Sequence, residues 1–302
     1  MSIIEKALDK ALGQDQFVAP PLAQKSAAGD APEPVRDERQ ADSKPKRVST
    51  AITIDWAALK AKGMLVPEMA ASHLAEEYRV IKRPLLMNAF PEEDNGIERA
   101  NLILVTSSLP GEGKTFTAMN LALSIAMERD KWVLLIDADV AKPSLARLLG
   151  SPGEAGLIDL LKDRNMDFAD VALKTDIPNL TVLPAGRQDR HSTELLASDA
   201  MKRLVKELSG RYRDRVVIFD SPPLLAATQG AVLASLVGQV VLVVEADSTP
   251  QYIVQEAISK LSSCEVVGCV LNKTNQGLAF NYYSYFYGYS YNTYGHEQKA
   301  RD

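Results

Sequence analysis

Between Arg99 and Thr274 the chain alternates short runs that are apolar throughout with longer segments whose apolar residues recur every three or four positions. The runs Leu102–Thr106, Trp132–Ile136, Leu180–Leu183, Val216–Phe219, Val240–Val244 and Val266–Leu271 predict strands. The segments Thr115–Glu128, Glu194–Leu208 and Pro250–Leu261 predict helices, the last with Thr249 as N-cap and Pro250 at the first helical position. Strands apolar on both faces and separated by helices predict an α/β fold, a mostly parallel sheet flanked by helices on both faces. Upstream, Ala70–Met87 predicts one more helix, with Pro84 limiting its far end.

The flanks differ in kind. Residues 1–13 place Ile3, Ile4, Ala7, Leu8, Ala11 and Leu12 on one helical face, and Gly13 supplies a stop. Residues 14–50 are rich in Pro, Ala, Asp, Lys and Ser and read as a disordered linker. The first helix is therefore either a detached recognition element or a frayed end without a partner. Its polar face mixes Glu5, Lys6, Asp9 and Lys10, which favours docking on protein over anionic lipid. The expected units are 1–13, the linker 14–50, a body 51–274 with a helix at 70–87, and a tail 275–302.

Charge and composition narrow the partners. The 34 basic and 39 acidic residues leave a net charge of -5, without a clustered basic face of the kind nucleic acid requires. Cys264 and Cys269 lie in what reads as a buried strand, at a spacing unsuited to zinc, and read as core thiols of a reducing cytoplasm. The most apolar stretch, 231–246, is broken by Ser235, Gly238, Gln239 and Glu245, and the N-terminus lacks a secretion pattern. The expectation is a cytoplasmic protein that reaches a membrane only through a partner.

The loop after the first body strand carries the chemistry. In SSLPGEGKT, Ser108 to Thr115 fit the phosphate-loop pattern, with Ser108 in place of the first glycine and Gly113, Lys114 and Thr115 intact. Gly111 and Gly113 let backbone N–H groups curl around phosphate oxygens, and the following helix presents its positive end. Lys114 can reach the β- and γ-phosphates and the Thr115 hydroxyl can ligate Mg²⁺. Ser108, Pro110, Gly111, Glu112, Gly113, Lys114, Thr115 and Phe116 form the expected nucleotide-binding set. Two further strands end in acids: Asp137 and Asp139 in VLLIDAD, and Asp220 in VVIFDSPP. An acid at a strand end is often only a helix cap, but ligands of parallel sheets bind at this edge. Beside a phosphate loop, the three acids point to metal binding and catalysis.

Together SSLPGEGKT, LLIDADVAKP and VIFDSPP resemble the three Walker motifs of bacterial tyrosine kinases, a P-loop NTPase family of the partition-ATPase-like branch. The resemblance covers roughly residues 70–302 and extends to GLIDLLKD (156–163) and TELLASDAMKRLVKEL (193–208). It implies catalytic roles for Lys114, Asp137, Asp139 and Asp220, Mg²⁺ held by Thr115, Asp137 and Asp220, and an adenine contact at Asn272. The family continues its second box Asp-x-Asp-x-Arg. Here Ala141 stands at the arginine position and Lys142 follows, which cannot reproduce a bidentate guanidinium.

Seven of the ten tyrosines lie in the tail: Tyr282, Tyr283, Tyr285, Tyr287, Tyr289, Tyr291 and Tyr294. Read alone, such a run fits an aromatic edge strand, an adhesive low-complexity segment or a base-stacking platform. The resemblance adds a fourth reading, a cluster of autophosphorylation acceptors. Full modification would add on the order of 10 to 14 negative charges, enough to expel the tail from an acidic site. In AEEYRVIKR, Glu76, Arg79 and Lys82 resemble the family's assembly motif, although a solvated charged face has the same pattern. If the motif is one, the family implies a ring-like homo-oligomer in which each tail enters a neighbour. It further implies a membrane activator of the chain-length-determinant (polysaccharide co-polymerase) type, a cognate tyrosine phosphatase and control of exopolysaccharide synthesis or export. The competing reading is a positioning ATPase of the partition class, which carries an early loop lysine where this chain has Leu109. An iron–sulfur carrier ATPase would need a Cys-x-x-Cys pair, which the chain lacks.

Overall fold

The computed structural model describes residues 51–128, 130–151, 155–211 and 214–274. The expectations for the N-terminal helix, the linker and the tyrosine tail lie outside the described residues. Eight strands form one sheet: β1 (Ala51–Ile52), β2 (Leu102–Ser107), β3 (Trp132–Asp137), β4 (Leu173–Thr175), β5 (Leu180–Leu183), β6 (Arg215–Asp220), β7 (Gln239–Glu245) and β8 (Val266–Asn272), in the order β1-β4-β5-β3-β6-β2-β7-β8. Every pairing is parallel except that of β4 with β5. The helices are α1 (Trp56–Ala61), α2 (His73–Ala89), α3 (Lys114–Ala126), α4 (Leu145–Leu148), α5 (Leu157–Lys162), α6 (Phe168–Val171), α7 (Ser192–Leu196), α8 (Asp199–Arg211), α9 (Gln229–Ala234) and α10 (Gln251–Ser259).

Successive side chains of a strand point to opposite faces, so an apolar run feeds two cores at once. Leu102 and Leu104, Leu134 and Ile136, Val217 and Phe219 pack under α5 to α10. Their neighbours Ile103 and Val105, Val133 and Leu135, Val216 and Ile218 pack under α1 to α4. The three-layer expectation therefore holds. Tyr78 on α2 is buried in the second of these cores, and that burial pushes its hydroxyl pKa up to about 12.

Four local expectations are corrected. Helix α2 spans His73–Ala89 with Pro84 inside it, so the proline does not limit its far end. Beyond the proline it is stapled to β7, because Gln239 Nε2 donates to the Leu85 and Ala100 carbonyls while Asn88 Nδ2 donates to Gln239 Oε1. The helix predicted over Glu194–Leu208 is two, α7 and α8; Ser198 breaks it by accepting from the Met201 N–H through its own hydroxyl oxygen. Thr249 does not cap α10; Pro250 holds that position without a side-chain bond, and the Thr249 hydroxyl goes elsewhere. Strand β8 is an edge strand rather than a buried one: Leu271 is 65% exposed, Cys269 is exposed and Cys264 half-buried, both as free thiols. Among the described residues, no helix is long and apolar enough to cross a membrane.

The contact between the N-terminus of α5 and the segment that leaves β5 tolerates no side chain at one point. Leu157 N–H donates to the Pro184 carbonyl and Asp159 accepts from the Gly156 and Arg187 N–H groups. A Cβ on Gly156 would lie 2.1 Å from the Pro184 oxygen and 2.5 Å from the Gly186 nitrogen, both backbone atoms. Gly156→Ala is expected to lower unfolding stability by about 2–3 kcal/mol in denaturant titration. An unchanged midpoint would mean that this contact opens freely.

Candidate active site

Three neighbouring strands end together, and that places the acids. Asp137 on β3 is the register partner of Asp220 on β6, and Asp220 pairs with Val105 on β2, three residues before Ser108 opens the phosphate loop. The loop leaves β2 and turns into α3 through two glycines at positive φ, Gly111 at 93° and Gly113 at 99°. Both angles belong to the left-handed region that glycine alone enters without strain.

The loop's side chains meet the acids directly. Lys114 Nζ lies 2.7 Å from Asp139 Oδ2 and 3.9 Å from Asp220 Oδ1. The Thr115 hydroxyl donates to Asp220 Oδ2 at 2.7 Å, and Ser144 Oγ stands 3.4 Å from Thr115 Oγ1. Asp137 Oδ2 accepts from the Ser144 and Leu145 backbone N–H groups, both at 2.9 Å. Asp139 Oδ1 takes the Lys142 N–H at 3.1 Å. Asp137 Oδ1 and Asp220 Oδ1 are buried without a hydrogen-bond partner. Sequence reasoning missed Ser144, which lies in a loop and belongs to no motif.

Burial dominates the electrostatics. It pushes Asp137 up to about 6 and Asp220 up to about 7; backbone donors, Lys114 and Thr115 oppose this, and the neighbouring acids reinforce it. Burial also disfavours charge on Lys114, but the carboxylates of Asp220 and Asp139 outweigh it and hold the ammonium above its ordinary pKa. Asp220, Asp139 and Asp137 all act on the Lys114 ammonium. The two partnerless carboxylate oxygens suit a hard divalent cation, whose ligands are oxygens.

The other expected residues are placed as follows. Pro110 and Gly111 form the exposed crest of the loop, Ser108 is fully buried, and Phe116 packs against the core under α1 and α2. Glu112 turns its carboxylate inward, away from the crest. Asn272 Nδ2 donates to the Glu112 carbonyl at 2.8 Å and fills the space where a Cβ of Gly113 would sit, 2.0 Å away. Beside Ala141 a cavity is lined by Gln188, Arg190, Thr193 and Gln229, so an arginine borders the position where the second box lacks one. The assembly trio separates. Glu76 and Arg79 pair with each other on the surface, and Arg79 also donates to the Ala70 carbonyl. Lys82 is buried, donating to the Ser124 carbonyl at 2.7 Å and pairing with Glu128 at 2.6 Å, where it ties α2 to the end of α3.

A family model described as an AAA domain matches residues 100–276. Tyrosine-protein kinase YwqD of Bacillus subtilis is 33% identical over 214 residues, covering 69% of this chain and 86% of YwqD. EpsB of Ralstonia nicotianae is 34% identical over 212 residues, but the chain spans only 27% of its length. Among solved structures, the kinase domain of the Escherichia coli tyrosine kinase ETK superposes with a TM-score of 0.58 at 25% identity, covering 76% of this chain and 92% of that domain.

Proposed function

The chain belongs to the bacterial tyrosine-protein kinase family, and from that premise we propose that it transfers the γ-phosphoryl group of ATP to its own C-terminal tyrosines. The observation that carries this reading is the convergence of Lys114 and Thr115 with Asp137, Asp139 and Asp220 at one sheet edge. The glycines of the loop leave N–H groups free to cradle phosphate, and Lys114 exchanges Asp139 for phosphate oxygens. Thr115, Asp137 and Asp220 would hold Mg²⁺, with Asp137 and Asp220 offering the partnerless oxygens. When bound, Mg²⁺ neutralises charge on the phosphates and aligns them. Asp139, released from Lys114, is placed to accept the proton of an incoming phenol, which at a normal pKa of about 10 needs a base to become nucleophilic at neutral pH.

The acceptors are Tyr282, Tyr283, Tyr285, Tyr287, Tyr289, Tyr291 and Tyr294, presented to a neighbouring subunit of a ring-like homo-oligomer. Glu76 and Arg79 remain on the surface for that assembly, and Lys82 supports the helix that carries them. The protein acts in the cytoplasm at the inner face of the plasma membrane, recruited by a membrane activator of the chain-length-determinant type and reset by a tyrosine phosphatase. Its output is control of exopolysaccharide synthesis or export.

Incubation with ATP and Mg²⁺, followed by mass measurement of the tryptic fragment Thr274–Lys299, tests the reading. Several phosphate additions are expected, and none in a variant with all seven tail tyrosines changed to phenylalanine. ATP hydrolysis with an unmodified fragment, even beside a candidate activator's cytoplasmic segment, would sink it.

A further inference from the structure

Glu112 lies in the middle of the phosphate loop, yet only 1% of it is exposed. Its carboxylate gathers donors from three places. Oε2 accepts the Leu109 N–H at 2.6 Å, inside the loop itself. Oε1 accepts the Glu245 N–H at 3.4 Å, at the end of β7, and the Thr249 hydroxyl, just before α10. The Glu112 carbonyl meanwhile accepts from Asn272 Nδ2 at the end of β8, and Glu245 and Asn272 are register partners. The nearby ammonium of Lys273 is paired with Glu245 at 2.9 Å. A buried carboxylate is costly unless its oxygens are bonded, and here every bond comes from a neutral donor that fixes one segment of chain.

We propose that Glu112 is a positioning residue: it clamps the phosphate loop to the carboxyl ends of β7 and β8 and so holds the loop N–H groups in their phosphate-binding arrangement before nucleotide arrives. A residue of this kind lowers the cost of ordering the loop on binding. Thr249 is its partner, which accounts for a hydroxyl that does not cap the helix it precedes. The clamp also reaches Asn272 at the end of β8, so the loop and the last strand of the sheet share one hydrogen-bonded unit.

The test measures binding of a fluorescent ATP analogue with Mg²⁺ to the full chain, together with Tm. Glu112→Gln keeps the shape but puts an amide N–H₂ against donor hydrogens, and is expected to weaken binding about tenfold. Thr249→Val should weaken it severalfold and Thr249→Ser should restore it. Because the two residues form one contact, the double variant should bind no worse than Glu112→Gln alone. The KM for ATP should rise while kcat changes less, with Tm moving only a few degrees. Wild-type affinity in Glu112→Gln, or fold-changes that multiply in the double variant, would overturn the proposal. If Glu112→Gln does not fold, the Thr249 pair decides: equal binding by the valine and serine variants refutes the clamp. Binding is read without phosphoryl transfer, so the outcome stands apart from whether the tail is the acceptor.

Discussion

Lys114→Met should abolish tail phosphorylation, lowering the rate by about 10³-fold or more, the equivalent of roughly 4 kcal/mol of transition-state stabilisation. The methionine keeps the length of the stem and removes the ammonium, which faces Asp139 at 2.7 Å and Asp220 at 3.9 Å. Two consequences separate this from a general loss of structure. Nucleotide affinity should fall less than the rate, because the loop N–H groups remain. Asp137, Asp139 and Asp220 then lose the Lys114 charge, so the variant should be less stable than wild type at pH 8 and recover as pH falls and Asp137 and Asp220 protonate. The mass of the Thr274–Lys299 fragment and Tm across pH check both. Phosphorylation at more than a tenth of the wild-type rate would remove Lys114 from the mechanism.

The sheet and the chemistry of its edge were legible because both are written in local pattern. An apolar run such as Val216–Phe219 fills both faces of a strand, and Gly113-Lys114-Thr115 has little use except at a strand-to-helix turn that holds phosphate. Two- and three-residue strands such as β1 and β4 carry no period to detect. Other features were set by tertiary partners that sequence spacing does not contain. Pro84 sits inside a helix because Gln239, far along the chain, holds the last turns in place. Lys82 reads as an exposed charge by its spacing from Glu76 and Arg79, yet Ser124 and Glu128 draw it inward. Glu112 belonged to the motif by position, but the donors that explain it, at 245 and 249, lie more than a hundred residues away.

Asp220→Asn should cost activity and raise stability at once. Asp220 is fully buried, one of its oxygens has no hydrogen-bond partner, and burial raises its pKa from 3.8 to about 7. A carboxyl group whose folded pKa lies above its unfolded one contributes stability at pH below the unfolded value and loses it as pH rises through the folded value. The neutral amide escapes that loss. Its advantage over wild type should therefore be absent below about pH 4, grow towards pH 7 and level off above it, the window set by the two pKa values. A gain on the order of 1–3 kcal/mol at pH 8, or several degrees in Tm, is expected after allowing for Lys114 losing one partner. The amide can still accept from Thr115, so the loop should keep its place. The gain in Tm that Mg²⁺ and ATP give wild type should be largely lost in the variant, and phosphorylation should fall about 10²-fold or more, because the carboxylate proposed to hold the metal is missing. In wild type the same linkage makes Mg²⁺-nucleotide binding release on the order of one proton between pH 6 and 7, measurable by calorimetry in buffers of different ionisation enthalpy. A destabilised Asp220→Asn, or one that keeps the Mg²⁺ response, would mean that this acid serves the fold and not the metal.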